Sequence, residues 1–128
     1  MKREEAVRLR PDARVLFVRL SALGDMVFAL PALQALRHHL PQARVDWLVE
    51  DRHAAFPAGH PGVDEVIVFP RAPWKRARGL GRLGAMGRIS DHLLRLRRRN
   101  PYDAVLDFQG NLKSALHLLF CRSPLKVG

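Results

Sequence analysis

A carboxylate that follows a short apolar segment is the first candidate for chemistry in this sequence. Asp25 ends the stretch Ser21-Ala22-Leu23-Gly24-Asp25, which comes directly after the apolar run Arg14–Leu20. Gly24 allows a tight turn or the close approach of a ligand. Asp25 could cap the following helix through a side-chain oxygen, or it could act as a general base that takes a proton from a substrate. The second role requires that its oxygens are not fully occupied in capping.

A second segment, Asp107–Ser114, combines turn residues with a cation. Gln109 and Gly110 form a predicted turn, and the backbone amides at the start of the next helix favour an anion. Lys113 adds a positive charge. In the simpler interpretation of the same residues, Asn111 only caps the helix and Lys113 is solvated.

The third candidate is a basic stretch, Arg71–Arg78, in which cations surround Trp74. Lys75 and Arg76 follow the ring directly, so the stretch could hold phosphates and stack on a sugar or base ring. The alternative is a solvated basic helix start. A further basic run, Arg95–Arg99, ends a predicted helix where the dipole favours cations, and we interpret it as solvated surface.

Several other motifs carry no chemistry. The string Gly79–Gly84 matches the Gly-x-Gly-x-x-Gly pattern of dinucleotide folds, but it does not follow directly on a strand as that pattern requires. The six histidines show no metal-ligand spacing, so no metal site is predicted. The sequence has no Gly-x-Ser-x-Gly elbow, and the single cysteine, Cys121, ends an apolar helix, so no nucleophile is predicted.

The elements that must position these residues alternate between strands and helices. Short apolar runs predict strands at Arg14–Leu20, Arg44–Val49, Glu65–Phe69 and Ala104–Phe108, with a fifth beginning at Lys126. Helical periodicity predicts helices at Asp25–Leu40, Asp51–Phe56 and Asn111–Phe120, with Pro31 bending or restarting the first. This alternation predicts a Rossmann-like α/β domain, a parallel sheet with helices on both faces. Ligands of such sheets bind beyond the carboxyl ends of the strands, where all three candidate segments lie.

A segment rich in Arg, Gly and Pro, Pro70–Gly87, is predicted to begin as a loop and to pass into one further helix. It ends at Asn100-Pro101, and four glycines weaken its first half by up to ~1 kcal/mol each. Its predicted apolar face consists of Leu80, Leu83, Met86, Ile89, Leu93 and Leu96.

Length and charge narrow the class of protein. The chain has 128 residues, enough for one domain, and a formal net charge of +10. Between Arg71 and Arg99 there are ten basic residues and one acid, so 10 − 1 = +9 of this charge lies in one segment. Such concentration indicates a local site for an anionic partner or a basic surface helix, and it argues against a nucleic-acid coat. No apolar run is long enough for a membrane span, and Met1–Pro11 lacks the apolar core of a signal peptide, so we expect a cytoplasmic protein.

The candidate segments also carry a family resemblance. The chain from Arg14 to Gly128 resembles the ADP-heptose:lipopolysaccharide heptosyltransferases of glycosyltransferase family 9, and it looks most like the heptosyltransferase I branch. Four collinear stretches carry the resemblance: Val15–Asp25 with Ala29–Leu33, then Val45–Glu50, Val66–Arg71 and Tyr102–Ser114. One departure is Phe28, where many relatives have His or a smaller residue.

The resemblance implies the N-terminal domain of a GT-B glycosyltransferase. On this basis residues 1–13 are a charged extension, and residues 14–128 are an acceptor-binding domain that ends before a C-terminal nucleotide-sugar domain. The implied partners are a Kdo-lipid A acceptor, an ADP-heptose donor held mainly by the C-terminal domain, and the inner-leaflet membrane surface. The resemblance implies no cofactor, metal or nucleic acid, and it places the protein in the cytoplasm, peripheral to the inner face of the plasma membrane.

The resemblance also assigns roles to residues. Asp25 matches the family's catalytic base, which takes a proton from a Kdo hydroxyl during an inverting, metal-independent transfer of heptose. The acceptor-binding residues that it implies are Ser21, Gly24, Arg71, Trp74, Lys75, Arg76, Gln109, Gly110, Lys113 and Ser114. The chain alone is then half an enzyme and is expected to be inactive. The alternative is a basic α/β binding module for an anionic polymer or membrane surface, with a steep salt dependence if the polymer is RNA.

Overall fold

The computed structural model of the protein describes residues 9–71 and 77–127. Its centre is a five-stranded parallel sheet with the order β3-β2-β1-β4-β5. The strands are β1 (Arg14–Val18), β2 (Arg44–Glu50), β3 (Glu65–Phe69), β4 (Ala104–Asp107) and β5 (Lys126–Val127). The sheet confirms the predicted Rossmann-like α/β class.

Within the described ranges, four α-helices connect the strands. They are α1 (Leu23–His39), α2 (Ala55–Ala58), α3 (Gly81–Arg98) and α4 (Leu112–Phe120), and a 3-10 turn, Asp51–His53, precedes α2. Helix α1 runs through Pro31, so this proline does not restart the helix. Because Pro31 has no N–H group, the carbonyl four residues before it loses its helical hydrogen bond. Pro31 is exposed, so water can donate to that carbonyl instead.

The apolar core is divided by the sheet. In β1, alternate side chains enter different clusters: Leu16 and Val18 belong to one, and Val15 and Phe17 to the other. The first cluster includes Leu96 of α3, and the second includes α1 residues such as Leu33. Each fully buried side chain of this size contributes roughly 2 kcal/mol to folding. Because the two faces are both covered, β1 reads as a continuous apolar run instead of an alternating one.

The predicted apolar face of α3 is only half right. Leu93 and Leu96 are buried, but Leu80, Leu83 and Met86 are 86%, 66% and 52% exposed. The residues that α3 buries are Ala85, His92, Leu93 and Leu96. The core therefore takes mainly the second half of the helix, while the first half exposes Leu83 and Met86.

The amino-terminal ends of the strands are joined by charged groups. Glu65 at the start of β3 accepts two hydrogen bonds from Arg99, at 3.1 and 2.6 Å, and one from Arg44 at 2.7 Å. Arg99 is therefore not the solvated residue that we predicted for the whole run Arg95–Arg99. The ion pair of Arg95 with Asp91 remains exposed.

Within residues 9–71 and 77–127, none of the helices combines the length and the apolar character that a bilayer crossing requires.

Candidate active site

The candidate loops after β1 and β4 meet at the carboxyl-terminal edge of the sheet, where β2 also ends. The ends of β1 and β4 are in register, since Val18 pairs with Asp107, and the amide of Phe108 donates to the Val18 carbonyl at 2.9 Å. On the other side of β1, the Glu50 amide donates to the Leu20 carbonyl at 3.0 Å. Strand β1 therefore lies between β2 and β4, and the residues that follow these three strands share the carboxyl-terminal edge of the sheet.

Asp25 does not cap α1. The N-cap position is Ala22, which makes no side-chain hydrogen bond, and Asp25 lies in the first turn of the helix. Its Oδ2 atom lies 2.7 Å from Nη2 of Arg19, and its side chain is 57% exposed. The capping interpretation of this carboxylate is therefore wrong, and the side chain faces solvent beside a cation.

A small cavity opens beside this carboxylate. Its volume is about 150 Å³, and it is lined by Arg19, Asp25, Phe28, Ala29 and Phe108. Phe28, the residue that departs from the family pattern, is 82% exposed at this cavity. A substrate that enters here would meet one carboxylate, one guanidinium and two aromatic rings.

The loop after β4 is held by Asp107. Its Oδ1 atom accepts hydrogen bonds from the amides of Gln109 and Gly110 at 2.8 and 3.2 Å, and its Oδ2 atom accepts from the Ser114 hydroxyl at 2.9 Å. Gly110 has a φ of +65°, which favours glycine at this turn. Asn111 and Ser114 form a capping box at the start of α4, as the simpler interpretation of Asn111 predicted.

Gln109 joins this loop to the loop after β1. Its Oε1 atom accepts from the amides of Leu20 and Ser21, at 3.1 and 3.3 Å. Ser114 is buried, so its hydroxyl holds the loop together, whereas Gly24 is exposed with open space around its Cα. Gln109, Ser114 and Asp107 therefore set the shape of this edge.

A buried carboxylate at the end of β2 binds two cations at the same edge of the sheet. Glu50, 1% exposed, ends β2, and its Oε1 atom accepts from Arg71 Nη1 at 2.7 Å and from Lys113 Nζ at 2.9 Å. Burial raises the pKa of the Glu50 carboxyl, but the hydrogen bonds and charges of Lys113 and Arg71 outweigh burial and hold this pKa below its ordinary value. Lys113 is thus paired and not merely solvated. Two cations on one carboxylate leave a net positive charge that suits an anionic ligand.

Two of these residues were missed by the sequence analysis as site residues. Arg19 and Glu50 are charged residues at the carboxyl ends of apolar strands, and that position was the available signal. Three predicted binding residues, Trp74, Lys75 and Arg76, lie outside the described residues.

A pair of buried histidines lies behind Lys113. Nδ1 of His117 is 2.7 Å from the Lys113 carbonyl, and Nε2 of His117 is 3.2 Å from Nε2 of His92. The first contact requires a proton on Nδ1 of His117, so its Nε2 accepts a hydrogen bond from His92. Burial, followed by the charge of His117, lowers the pKa of His92 to about 4, and burial also lowers the pKa of His117. Both rings are therefore neutral at physiological pH.

The described residues contain no group of three or more His, Cys, Asp or Glu side chains arranged to hold a metal ion. Cys121 is buried, and burial raises the pKa of its thiol to about 11, which disfavours the reactive thiolate. The Gly79–Gly84 string lies at the start of α3, beyond the end of β3, so it lacks the strand-turn-helix geometry of a dinucleotide site.

Comparison with known proteins gives consistent relatives, although no family model matches the chain. The chain is 39% identical over 103 residues to lipopolysaccharide heptosyltransferase 1 of Pseudomonas aeruginosa. The aligned region covers 80% of this chain and 28% of that protein. It is 37% identical over 105 residues to the enzyme of the same name from Salmonella typhimurium, covering 80% of this chain and 31% of that protein. The chain therefore spans about 30% of the length of these relatives.

Solved structures agree in fold. The structure of E. coli heptosyltransferase WaaC with ADP superposes with a TM-score of 0.71 at 31% identity, over 89% of this chain and 35% of that chain. A family 9 glycosyltransferase from Veillonella parvula gives a TM-score of 0.75 at 19% identity, over 94% of this chain and 33% of that chain, which is a likeness of fold alone. In sequence and in fold, this chain is a homologue of lipopolysaccharide heptosyltransferase 1 and corresponds to about 30% of its length, which confirms the predicted family resemblance.

Proposed function

We propose that this chain is the acceptor-binding part of an inverting heptosyltransferase of lipopolysaccharide inner-core synthesis. The reaction transfers heptose from ADP-heptose to a Kdo residue of Kdo-lipid A. In this proposal residues 14–128 form the N-terminal acceptor domain, residues 1–13 are a charged extension, and a C-terminal domain supplies most donor contacts. The observation that carries the proposal is the exposed carboxylate of Asp25 at the carboxyl edge of the sheet, on the same edge as the Glu50 cation pair.

The proposed chemistry uses Asp25 as a general base. Its Oδ2 atom is paired with Arg19, and no contact to Oδ1 is present among the described residues, so Oδ1 is the oxygen that accepts the proton. As the Kdo hydroxyl loses its proton to Oδ1, its oxygen attacks the anomeric carbon of heptose on the face opposite ADP. The bond from that carbon to the ADP oxygen breaks, and the configuration inverts. Fixed donors of the C-terminal domain stabilise the leaving diphosphate.

The anionic groups of the acceptor would meet the cations of the same edge. Arg71 and Lys113 are held together by Glu50, and a carboxylate or phosphate can bridge their remaining N–H groups. We assign Trp74, Lys75 and Arg76 to this binding segment on family resemblance alone. Gln109 and Ser114 hold the loops of this edge together, and we assign Ser21, Gly24 and Gly110 to acceptor binding on family resemblance.

We further propose that the protein is cytoplasmic and peripheral to the inner leaflet of the plasma membrane. The outer surfaces of α3 and α4 carry an exposed apolar set, here called the outer leucine face. Its members are Leu80, Leu83, Met86, Leu94, Leu112, Leu116 and Leu119. Residues 77–90 contain three arginines and no acid. Apolar residues combined with positive charge favour an anionic bilayer, where the acceptor lipid also resides.

The proposed activity is tested by restoring the rest of the enzyme. The chain is joined to the remaining C-terminal part of heptosyltransferase 1 from Pseudomonas aeruginosa, and transfer of heptose to Kdo-lipid A is measured. We expect transfer that depends on ADP-heptose, because the joined protein has both sides of the cleft. The chain alone and the C-terminal part alone are the controls. Absence of transfer by a folded joined protein would contradict the proposal.

The membrane contact is tested with vesicles. We expect the chain to bind phosphatidylglycerol vesicles more tightly than phosphatidylcholine vesicles, and Leu83→Gln to weaken binding about fivefold, since partial insertion of one leucine contributes about 1 kcal/mol. Val27→Gln, which changes a half-exposed residue on α1, is the matched control and should bind as the wild type does. Equal binding to both vesicles, with tight salt-sensitive binding to RNA, would instead support the alternative of a basic module for an anionic polymer.

A further inference from the structure

We propose that Arg19 is the positioning residue of the general base, holding one oxygen of Asp25 so that the other faces the substrate. This inference rests on the proposed role of Asp25 and adds a residue to it. It also gives a role to the charged side chain that directly follows β1.

The guanidinium group of Arg19 bridges two loops. Nη2 lies 2.7 Å from Oδ2 of Asp25 in α1, and Nη1 donates to the carbonyl oxygen of Phe108, the residue after β4. The Arg19 side chain is only 14% exposed, and its Nε atom is buried without a partner. The group is therefore enclosed in protein, while the carboxylate that it contacts is largely exposed.

The backbone of Arg19 is fixed from the opposite side. Its amide donates to the Leu48 carbonyl at 3.3 Å, and its carbonyl accepts from Nε1 of Trp47 at 3.2 Å. Trp47 is fully buried, so it cannot move without disturbing the core. Contacts from β2 on one side and from β4 on the other leave the Arg19 guanidinium little freedom of position.

This geometry has a chemical consequence for Asp25. A surface aspartate at a helix start samples several rotamers, but an ion pair with an enclosed guanidinium selects one of them. With Oδ2 engaged, proton transfer is directed to Oδ1. Arg19 makes no contact with the reacting atoms in this arrangement, so it is not itself a catalytic residue.

The test uses steady-state kinetics of the joined protein described above, with ADP-heptose and Kdo-lipid A. For Arg19→Gln we expect kcat to fall about 30- to 100-fold while KM for Kdo-lipid A changes less than threefold, because orientation and not binding is lost. Arg19→Lys keeps the charge but not the second contact, so it should retain more activity than Arg19→Gln and less than the wild type.

Arg37→Gln is the matched control. Arg37 likewise bridges an aspartate and backbone carbonyls, through Asp64, Ala43 and Gly62, but it lies at the other end of α1. Its loss should lower stability and leave kcat unchanged. If Arg19→Gln does not fold, wild-type kcat in a folded Arg19→Lys overturns the inference. Wild-type kcat in Arg19→Gln overturns the role of Arg19 alone, whereas absence of transfer in the wild type overturns the proposed function as well.

Discussion

Replacing Asp25 with alanine is expected to reduce heptose transfer by the joined protein about 1,000-fold. General base catalysis by a positioned side chain contributes roughly 10² to 10⁴ in rate, and the described part of the cleft offers no second exposed carboxylate at this cavity. The measurement is kcat with saturating ADP-heptose and Kdo-lipid A. Asp25→Asn, which keeps the shape of the side chain but cannot accept the proton, should lose as much activity as the alanine variant.

Binding of the acceptor should survive the same change. Arg71, Lys113 and Glu50 do not depend on Asp25 for their contacts, so the affinity for Kdo-lipid A is expected to stay within about threefold of the wild type. Asp12→Ala is the control, because Asp12 is exposed in the turn before β1, at the opposite end of the sheet. Full activity in Asp25→Ala would refute the assignment of the base.

The buried histidine pair is expected to destabilise the fold as the pH falls from about 6.5 towards 4. His92 has a pKa of about 4 in the folded protein against an ordinary value of 6.5, so the unfolded chain binds more protons between these values. Its contribution to stability is fully present above pH 6.5 and is lost as the pH falls to about 4. From His92 alone, the free energy of unfolding should drop by about 2 kcal/mol between pH 7.5 and pH 5. His117 shifts in the same direction and adds to the effect.

Urea unfolding at pH 7.5 and pH 5 measures this difference. His92→Gln can still donate an N–H group towards Nε2 of His117 but cannot titrate, so the loss between the two pH values should shrink by about 2 kcal/mol. His38→Gln, an exposed change on α1, is the control and should keep the wild-type pH dependence. The carboxyls of Glu50, Asp64 and Glu65 have lowered pKa values, so their contributions are lost mainly below pH 5. An identical pH dependence in His92→Gln would show that the pair is not responsible.

The sequence by itself determined the elements and their class. Strands such as β1 and β3 are short runs of β-branched and aromatic residues bounded by turn residues, and this information is local. The same local signal, the turn with Gly110 and the cap at Asn111, predicted where α4 begins. Alternation of the two element types then requires a parallel sheet, because each crossover helix returns the chain in the same direction.

Periodicity failed where burial depends on neighbours. The six-residue apolar face predicted for α3 has the correct helical spacing, yet Leu80, Leu83 and Met86 are exposed, and His92 is buried instead. Spacing defines which residues share a helix face, but only the packing of α3 against the sheet and α4 decides which part of that face is covered.

Only the tertiary structure decided which residues of the candidate site contact one another. Glu50 binds residues 21 and 63 positions away, Arg71 and Lys113, and Arg19 reaches across to Phe108, 89 positions away. These pairs depend on the strand order, which places β1 between β2 and β4 and so brings their carboxyl ends together. The sequence located Asp25 and the cations through local motifs and family resemblance. It could not show that Asp25 pairs with Arg19 instead of capping its helix, because the position of Arg19 is fixed by long-range contacts with β2 and β4 that no local pattern encodes.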